Sequence, residues 1–393
     1  MPDAAIAALV IIGGGPTAHA ALKAYRKADS AGRVVMVSED AVAPYNRPPL
    51  SKDFLRGESD EDVLPLESAE FYSDNRTELM LADSVTVLDP RSRTVRTRSG
   101  TEIRYEQCIL ATGCEPASLD VPGGNTALRL RWLDQARGLR DAAQTARSAV
   151  VIGSGFIGCE AAASLAHRGI AVTMVSTEPL PQLHRLGPAA AELITGWLES
   201  AGVRIHHGVQ VTDIGNDRIV RLSDGTVLST DLLLSAVGAT PRTELAEAAG
   251  AHLRQGRVAV DEAMHSSVAN LLATGDVAMA YNTGAARHLT VEHWGEAERM
   301  GEIAGITASG GQAQWSDVPG FWSEIGDHIL KYAAWGDGFD EAIPVHHDNG
   351  GLTVWYVKND VVVGVLTSQA DDDYDRGQTL ISAGAPVPVR RSL

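Results

Sequence analysis

The chain has 393 residues, too many for one ordinary core, and its 44% hydrophobic and 21% charged content is that of a soluble globular protein. Thirty-three basic side chains against 50 acidic ones leave a formal charge of −17, which argues against nucleic acid and anionic membrane as partners. No run approaches the ~20 apolar residues that span a bilayer, and Met1 leads into a strand without a basic leader or cleavage site. The three cysteines, Cys108, Cys114 and Cys159, make neither a disulfide framework nor a zinc site, so a reducing cytoplasm is the expected setting.

The apolar run Ala8–Ile12 reads as a strand that breaks into Gly13-Gly14-Gly15-Pro16-Thr17-Ala18, a Gly-x-Gly-x-x-Ala turn. A helix from about Ala18 to Lys27 and a strand over Arg33–Val37 follow. That strand ends at Ser38-Glu39-Asp40, where a carboxylate is placed to accept hydrogen bonds from an adenosine ribose; a merely solvated strand end is the weaker reading. The proline-stiffened segment Pro44–Leu55 forbids helix until Ser51 and presents Arg47 and Lys52 from a rigid loop. Residues Val85–Asp89 and Thr94–Arg98 alternate like a β-meander, and Ile109–Leu110 leads a strand into the small-residue turn Ala111-Thr112-Gly113. Pro116–Asn125 reads as a linker and Leu133–Ala143 as a helix.

A second unit of the same kind follows. The run Val150–Ile152 breaks into Gly153-Ser154-Gly155-Phe156-Ile157-Gly158, a helical pattern comes next, and Ile170–Val175 supplies the second strand. Gly153 permits the tight turn, Gly155 lets a pyrophosphate approach the backbone, and Gly158 lets helix and strand pack closely. The helix start then offers the phosphates unpaired N–H groups and a favourable dipole. Ser176-Thr177-Glu178, a helix from about Pro188 to Ser200, β stretches over Arg204–Thr212 and Ile219–Leu222, and a strand Leu232–Val237 closing at Gly238 complete this unit. Val258–Asp261 and Asn270–Asp276 return to the style of the first unit, so one dinucleotide-binding domain is expected to be inserted in another. From about Gly320, tryptophans and alternating strands such as Thr353–Val357 predict a third, antiparallel α+β piece ending in a helix near Arg376–Ala383. The expected class is α/β: two nested Rossmann-like domains, residues 1–120 with 239–319 and residues 121–238, plus a C-terminal α+β domain, 320–393.

Two nested dinucleotide folds with a third domain resemble the two-dinucleotide flavoprotein reductases. Pro48–Lys52, Ala111-Thr112-Gly113, Ala273-Thr274-Gly275-Asp276 and Phe321-Trp322-Ser323 are similar to motifs of the oxygenase-coupled ferredoxin reductases and of apoptosis-inducing factor. The resemblance spans essentially the whole chain. It implies that Gly13, Gly15 and Ala18, with Glu39 and Asp40, bind the ADP part of FAD, and that Asp276 meets its ribityl and phosphate groups. It places Arg47 and Arg131 on the flavin, Val85 and Ala111 on the adenine side, and Glu292, His293, Trp294 and Trp322 beside the isoalloxazine ring. The second fingerprint, Gly153, Gly155 and Gly158, with Gly238 at the closing strand end, is then the nicotinamide dinucleotide site.

Lys52 and Glu160 match a Lys–Glu pair set near the flavin N5, where a cation favours negative charge on reduced flavin and the carboxylate contacts the nicotinamide. Phe156 matches an aromatic that shields the flavin. The bland alternative is a helix-capping lysine and a carboxylate favoured by the first helical turn. Glu178 is placed to hold a 2′-hydroxyl, and the nearest downstream arginine for a 2′-phosphate is Arg185, so NADH is expected over NADPH. The loop Pro44–Leu55 has no cysteine, which disfavours thiol chemistry, and the paired histidines His206-His207 and His346-His347 are too isolated to argue for metal. The expected function is an FAD-dependent NADH oxidoreductase, monomer or homodimer, passing electrons to an acceptor such as a [2Fe–2S] ferredoxin. The rival is a redox-sensing scaffold resembling apoptosis-inducing factor, with a slowly oxidised NADH complex and NADH-dependent dimerisation.

Overall fold

The structure is a computed structural model that describes residues 6–29 and 31–388. The chain divides into two compact units, each assembled from separated segments. The first takes the chain up to Asn46, Leu64–Glu115 and Pro241–Phe321; the second takes Arg47–Val63, Pro116–Thr240 and everything from Trp322 onward.

In the first unit the strand Ala7–Ile12 lies in the middle of a parallel sheet, between Val34–Val37 and the long strand Glu102–Leu110. Thr77–Met80 extends one side, and Leu271–Ala273 pairs with the last residues of Glu102–Leu110 on the other. A strand covered on both faces carries apolar residues at every position, which is why Ala7–Ile12, Val34–Val37 and Leu271–Ala273 are continuous apolar runs rather than alternating ones. Register then aligns the exits. Ile12 pairs with both Val37 and Leu110, and Leu110 pairs with Ala273. The glycine turn at Gly13, the acids after Ser38, Ala111 and the Thr274-Gly275-Asp276 turn therefore leave the sheet at one level, at the carboxyl ends of the strands. The expected meander is present: Val85–Asp89 pairs antiparallel with Thr94–Thr97, which pairs with the first residues of Glu102–Leu110.

The helix Pro16–Ala28 packs against a helix that the sequence reading did not anticipate, Trp294–Ala308. Three glycines lower its intrinsic helix propensity, and they hide it from a hydrophobic-periodicity reading. Two of them are the contact. A Cβ on Gly301 would lie 2.3 Å from the Thr17 carbonyl oxygen, and one on Gly305 would lie 2.2 Å from that of Ala21. Only hydrogens fit there, so the two backbones approach directly.

The same helix carries a buried acid. Glu296 accepts from the Trp315 indole Nε1 at 3.1 Å and from the Gly320 backbone N–H at 3.4 Å. Burial pushes its carboxyl up to about 7, against hydrogen bonds that favour the ion. The folded chain therefore binds this proton between the unfolded value of 4.5 and about 7, and the unfolded chain does not. Stability from this group is fully present below about 4.5 and is lost as pH rises through about 7. Glu296→Gln is expected to flatten that window and to exceed wild type at pH 8 by up to about 3 kcal/mol. Paired urea melts at pH 5 and 8 check it; parallel pH dependence in both proteins contradicts it.

The second unit repeats the parallel sheet. Its order is Arg204–His206, Ala171–Val175, Ser148–Ile152 and Leu232–Ser235. Ile152 pairs with Val175 and with Ser235, so Gly153, Ser176 and Ala236 again leave the sheet together. The helix Leu133–Ala143 has the bounds read from sequence. The stretch Arg204–Thr212 is not one β stretch: Arg204–His206 is a sheet edge, and Val211–Gly215 opens a separate meander with Ile219–Leu222 and Val227–Ser229. The helix expected from Pro188 is preceded by a turn of helix from Leu183, with the break at Gly187, φ +74°.

The last segment contributes a five-stranded sheet and a closing helix. Its Tyr356 hydroxyl donates to the Leu186 carbonyl at 2.8 Å, and His328 stacks on Trp197 at 4.8 Å between ring centres. The closing helix starts earlier than expected, at Asp371, because Asp371, Asp372 and Asp373 form its first turn, where the helix dipole favours negative charge.

Candidate functional site

The first glycine turn follows from its strand. Gly13 has φ +131°, and a Cβ there would lie 2.1 Å from the Ala111 carbonyl oxygen, so glycine is required where the two strand exits meet. Gly15 is the N-cap of the helix Pro16–Ala28 and gives it no side-chain cap, while Ala18 is fully buried. The first-turn N–H groups are thus not taken by a capping side chain, which suits a phosphate. The second strand exit is stitched down by Asp83 N–H to Ser38 O and Ala82 N–H to Asp40 O, next to buried Val85. Glu39 is half-exposed and accepts from Arg242 at 2.6 Å.

Asp276 lies in the short helical turn Gly275–Val277 and is almost buried. Its carbonyl accepts from Arg257, whose other nitrogen pairs with the Glu292 carboxylate. Glu292, His293 and Trp294 lead into the helix Trp294–Ala308, and His293 stacks on Phe321 with ring centres 3.9 Å apart. Sequence reasoning missed Arg257. The available signal was a charged residue opening an otherwise apolar buried strand.

The second fingerprint is built the same way. A Cβ on Gly153, φ +104°, would lie 2.3 Å from the Ala236 carbonyl oxygen, and one on Gly158 would lie 2.2 Å from that of Gly153. Gly155 differs: it is exposed, it caps the helix Phe156–His167 without a side chain, and a Cβ there meets nothing within 4 Å. Gly238, at the end of the neighbouring strand, is open too. Two glycines close the turn and one faces space for a ligand. Phe156 is half-buried under the Arg185 guanidinium, 5.5 Å from its ring centre. Glu178 accepts the His184 backbone N–H at 2.9 Å, while Ser176 is buried against Ser154 at 2.8 Å.

Lys52 and Glu160 meet in the second unit, at 2.7 Å, with only 6% and 4% of their surfaces exposed. The short helix Pro48–Ser51 delivers Lys52, whose ammonium also donates to the Pro48 carbonyl at 3.1 Å and lies 5.1 Å from the Trp322 ring centre. Taking both charges out of water is costly unless each is hydrogen-bonded, and here each is. The Ser51 and Ser323 hydroxyls also donate to Glu160, at 2.5 and 2.7 Å. Both serines stood in the motifs without an assigned role. Arg131 lies just before the helix Leu133–Ala143, with its backbone N–H on Gln135 at 3.0 Å, and Arg47 just before Pro48–Ser51.

All three cysteines are buried and none is in a disulfide, and burial pushes the Cys108 and Cys159 thiols up. Among the described residues no helix is long and apolar enough to cross a membrane, and no group of three or more His, Cys, Asp or Glu is placed to hold a metal ion.

Two parallel sheets, each opening into a glycine-rich strand–helix turn, define a two-dinucleotide-fold protein. The family model described as pyridine nucleotide-disulphide oxidoreductase matches residues 7–301, and the chain belongs to that family. It is similar to the rubredoxin-NAD(+) reductase of Pseudomonas putida, 32% identical over 330 residues, covering 82% of this chain and 86% of that one. It is 28% identical over 388 residues to the ferredoxin–NAD(+) reductase component of the anthranilate 1,2-dioxygenase system of Burkholderia cepacia, covering 96% and 94%. Among solved structures it resembles the ferredoxin reductase for the CYP199A2 system from Rhodopseudomonas palustris, with a TM-score of 0.90, 29% identity and coverage of 96% and 95%. The protein is an FAD-dependent oxidoreductase of nicotinamide nucleotides.

Proposed function

We propose that this protein takes a hydride from NADH and delivers the electrons, one at a time, to a small iron–sulfur protein of the [2Fe–2S] ferredoxin class. The carrying observation is the buried Lys52–Glu160 pair, whose carboxylate stands on the helix of the second fingerprint, in a chain whose relatives are named as ferredoxin and rubredoxin reductases. The first unit's residues Gly13, Gly15, Ala18, Glu39, Asp40, Val85, Ala111 and Asp276 would hold the ADP and ribityl parts of FAD. Glu292, His293, Trp294, Arg47, Arg131 and Trp322 are assigned to its ring. Gly153, Gly155, Gly158 and Gly238 would hold the pyrophosphate side of NADH. The flavin, when bound, would supply the centre that accepts one hydride and gives up its two electrons singly, with the proton released to solvent.

The resemblance to the flavoprotein reductases supports the roles of this chain's own groups. Lys52 would bring a fixed positive charge toward the flavin, Glu160 holds that ammonium and would meet the nicotinamide, and Phe156 would cover the ring face. NADH is favoured over NADPH because a carboxylate, Glu178, stands three residues beyond the end of the second strand, and Arg185 is engaged over Phe156. Three cysteines outside any disulfide support a reducing, cytoplasmic setting.

The test is anaerobic stopped-flow absorbance of the FAD-loaded protein. NADH is expected to bleach the flavin band within a second, NADPH to do so at least about tenfold more slowly, and oxidised ferredoxin to restore the band faster than oxygen does. A long-lived NADH complex with no acceleration by ferredoxin would instead select the redox-sensing reading.

A further inference from the structure

The Lys52–Glu160 pair is held by more than its own charges. Glu160 Oε2 accepts from Lys52 at 2.7 Å and from Ser51 at 2.5 Å, and Oε1 accepts from Ser323 at 2.7 Å. The Ser164 hydroxyl, one helical turn beyond Glu160, donates to the Ser51 carbonyl at 2.7 Å. Ser51, Ser164 and Ser323 are 3%, 0% and 1% exposed, so water has no ready access to replace them. These groups come from three separated stretches: the short helix Pro48–Ser51, the helix Phe156–His167 and the strand Gly320–Ile325. Lys52, Glu160 and the three serines all lie in the second unit.

A carboxylate on an otherwise free side chain can rotate about its last bond, and an ion pair made through one oxygen does not stop it. Donors on both oxygens do. Ser323 fixes Oε1 while Ser51 and Lys52 share Oε2, so the plane of the carboxylate and the direction of the ammonium are set together. The strand that supplies Ser323 also supplies Trp322, whose ring lies 5.1 Å from the Lys52 ammonium. One strand of the C-terminal sheet thus holds the pair at both members.

We propose that Ser51 and Ser323 are positioning residues for hydride transfer, acting by fixing the Glu160 carboxylate and, through it, the Lys52 ammonium. The inference rests on the function proposed above. It gives the C-terminal segment a positioning part in the reaction, because Ser323 belongs to it.

The experiment compares Ser51→Ala, Ser323→Ala and Ser323→Thr with wild type, all as the FAD-loaded full chain. Three quantities are read: the anaerobic rate of flavin bleaching at saturating NADH, the NADH concentration for half-maximal rate, and the flavin midpoint potential from dye equilibration. Each alanine variant is expected to slow bleaching about tenfold with less than about threefold change in the half-saturating NADH concentration. The potential is expected to move to more negative values, because the cation that favours reduced flavin is less well held. Ser323→Thr keeps the hydroxyl and is expected to stay within about twofold of wild type in rate, with an unshifted potential.

Alanine variants that bleach at the wild-type rate with an unchanged potential overturn the proposal and leave the function standing. So do variants whose slowing follows only from lost flavin, measured as flavin absorbance per protein. A wild-type protein that NADH does not reduce overturns the function and the positioning role with it. If an alanine variant does not fold, Ser323→Thr decides together with Ser323→Cys, a poor donor of similar size: equal rates in the two overturn the proposal.

Discussion

Glu160→Ala is expected to destabilise the protein by about 3–5 kcal/mol and to slow flavin reduction at least about 100-fold. The stability loss comes from leaving the Lys52 ammonium, 6% exposed, with no carboxylate beside it. Ser51 and Ser323 lose their acceptor in the same step. Removing both charges is different. Lys52→Met combined with Glu160→Leu leaves no uncompensated ion, so this double variant is expected to be more stable than Glu160→Ala while remaining as slow in flavin reduction. Urea melts separate the two effects from the stopped-flow rates. If the double variant recovers stability and rate together, the pair is structural; if Glu160→Ala costs less than about 1 kcal/mol, the pair is not the buried ion pair described here.

The second large effect is expected far from any charge. Gly305→Ala puts a methyl group 2.2 Å from the Ala21 carbonyl oxygen and 2.9 Å from the Ala24 Cβ, closer than real Cβ atoms approach. An exposed Gly→Ala change in a helix would gain about 1 kcal/mol from propensity alone. Here the two helices must separate, and a net loss of about 2 kcal/mol or more is expected from overpacking. The helix that would move is Pro16–Ala28, whose start holds the first glycine turn. The variant should therefore emerge from gel filtration with less flavin per chain than wild type, at equal protein concentration. A denaturation midpoint at or above wild type would show that the helices do not touch through this glycine.

The sequence carried the two glycine fingerprints, their strands and the order of the parallel segments, because these depend on local chemistry. A buried parallel strand has to be apolar at every position, and a turn into a helix at a phosphate site has to use glycine, so both leave marks within a few neighbouring residues. The pairing of Lys52 with Glu160 was legible only by resemblance, since 108 residues separate them and neither position is unusual by itself. Ser51 and Ser323 stood inside quoted motifs, yet nothing local distinguishes a serine that grips a buried carboxylate from one on a surface.

The helix Trp294–Ala308 shows the same division more sharply. Its glycines read as helix breakers in isolation and become the contact surface once Thr17 and Ala21 are brought against them. Arg257, which the sequence reading passed over, is held by the Asp276 carbonyl and the Glu292 carboxylate. What the sequence determined by itself was the class of fold and the two nucleotide-binding turns, whose requirements are met by neighbours along the chain. What only the tertiary structure decided was which polar side chains share a buried charge and which glycines are needed for close approach, because both depend on partners that the chain supplies from far away.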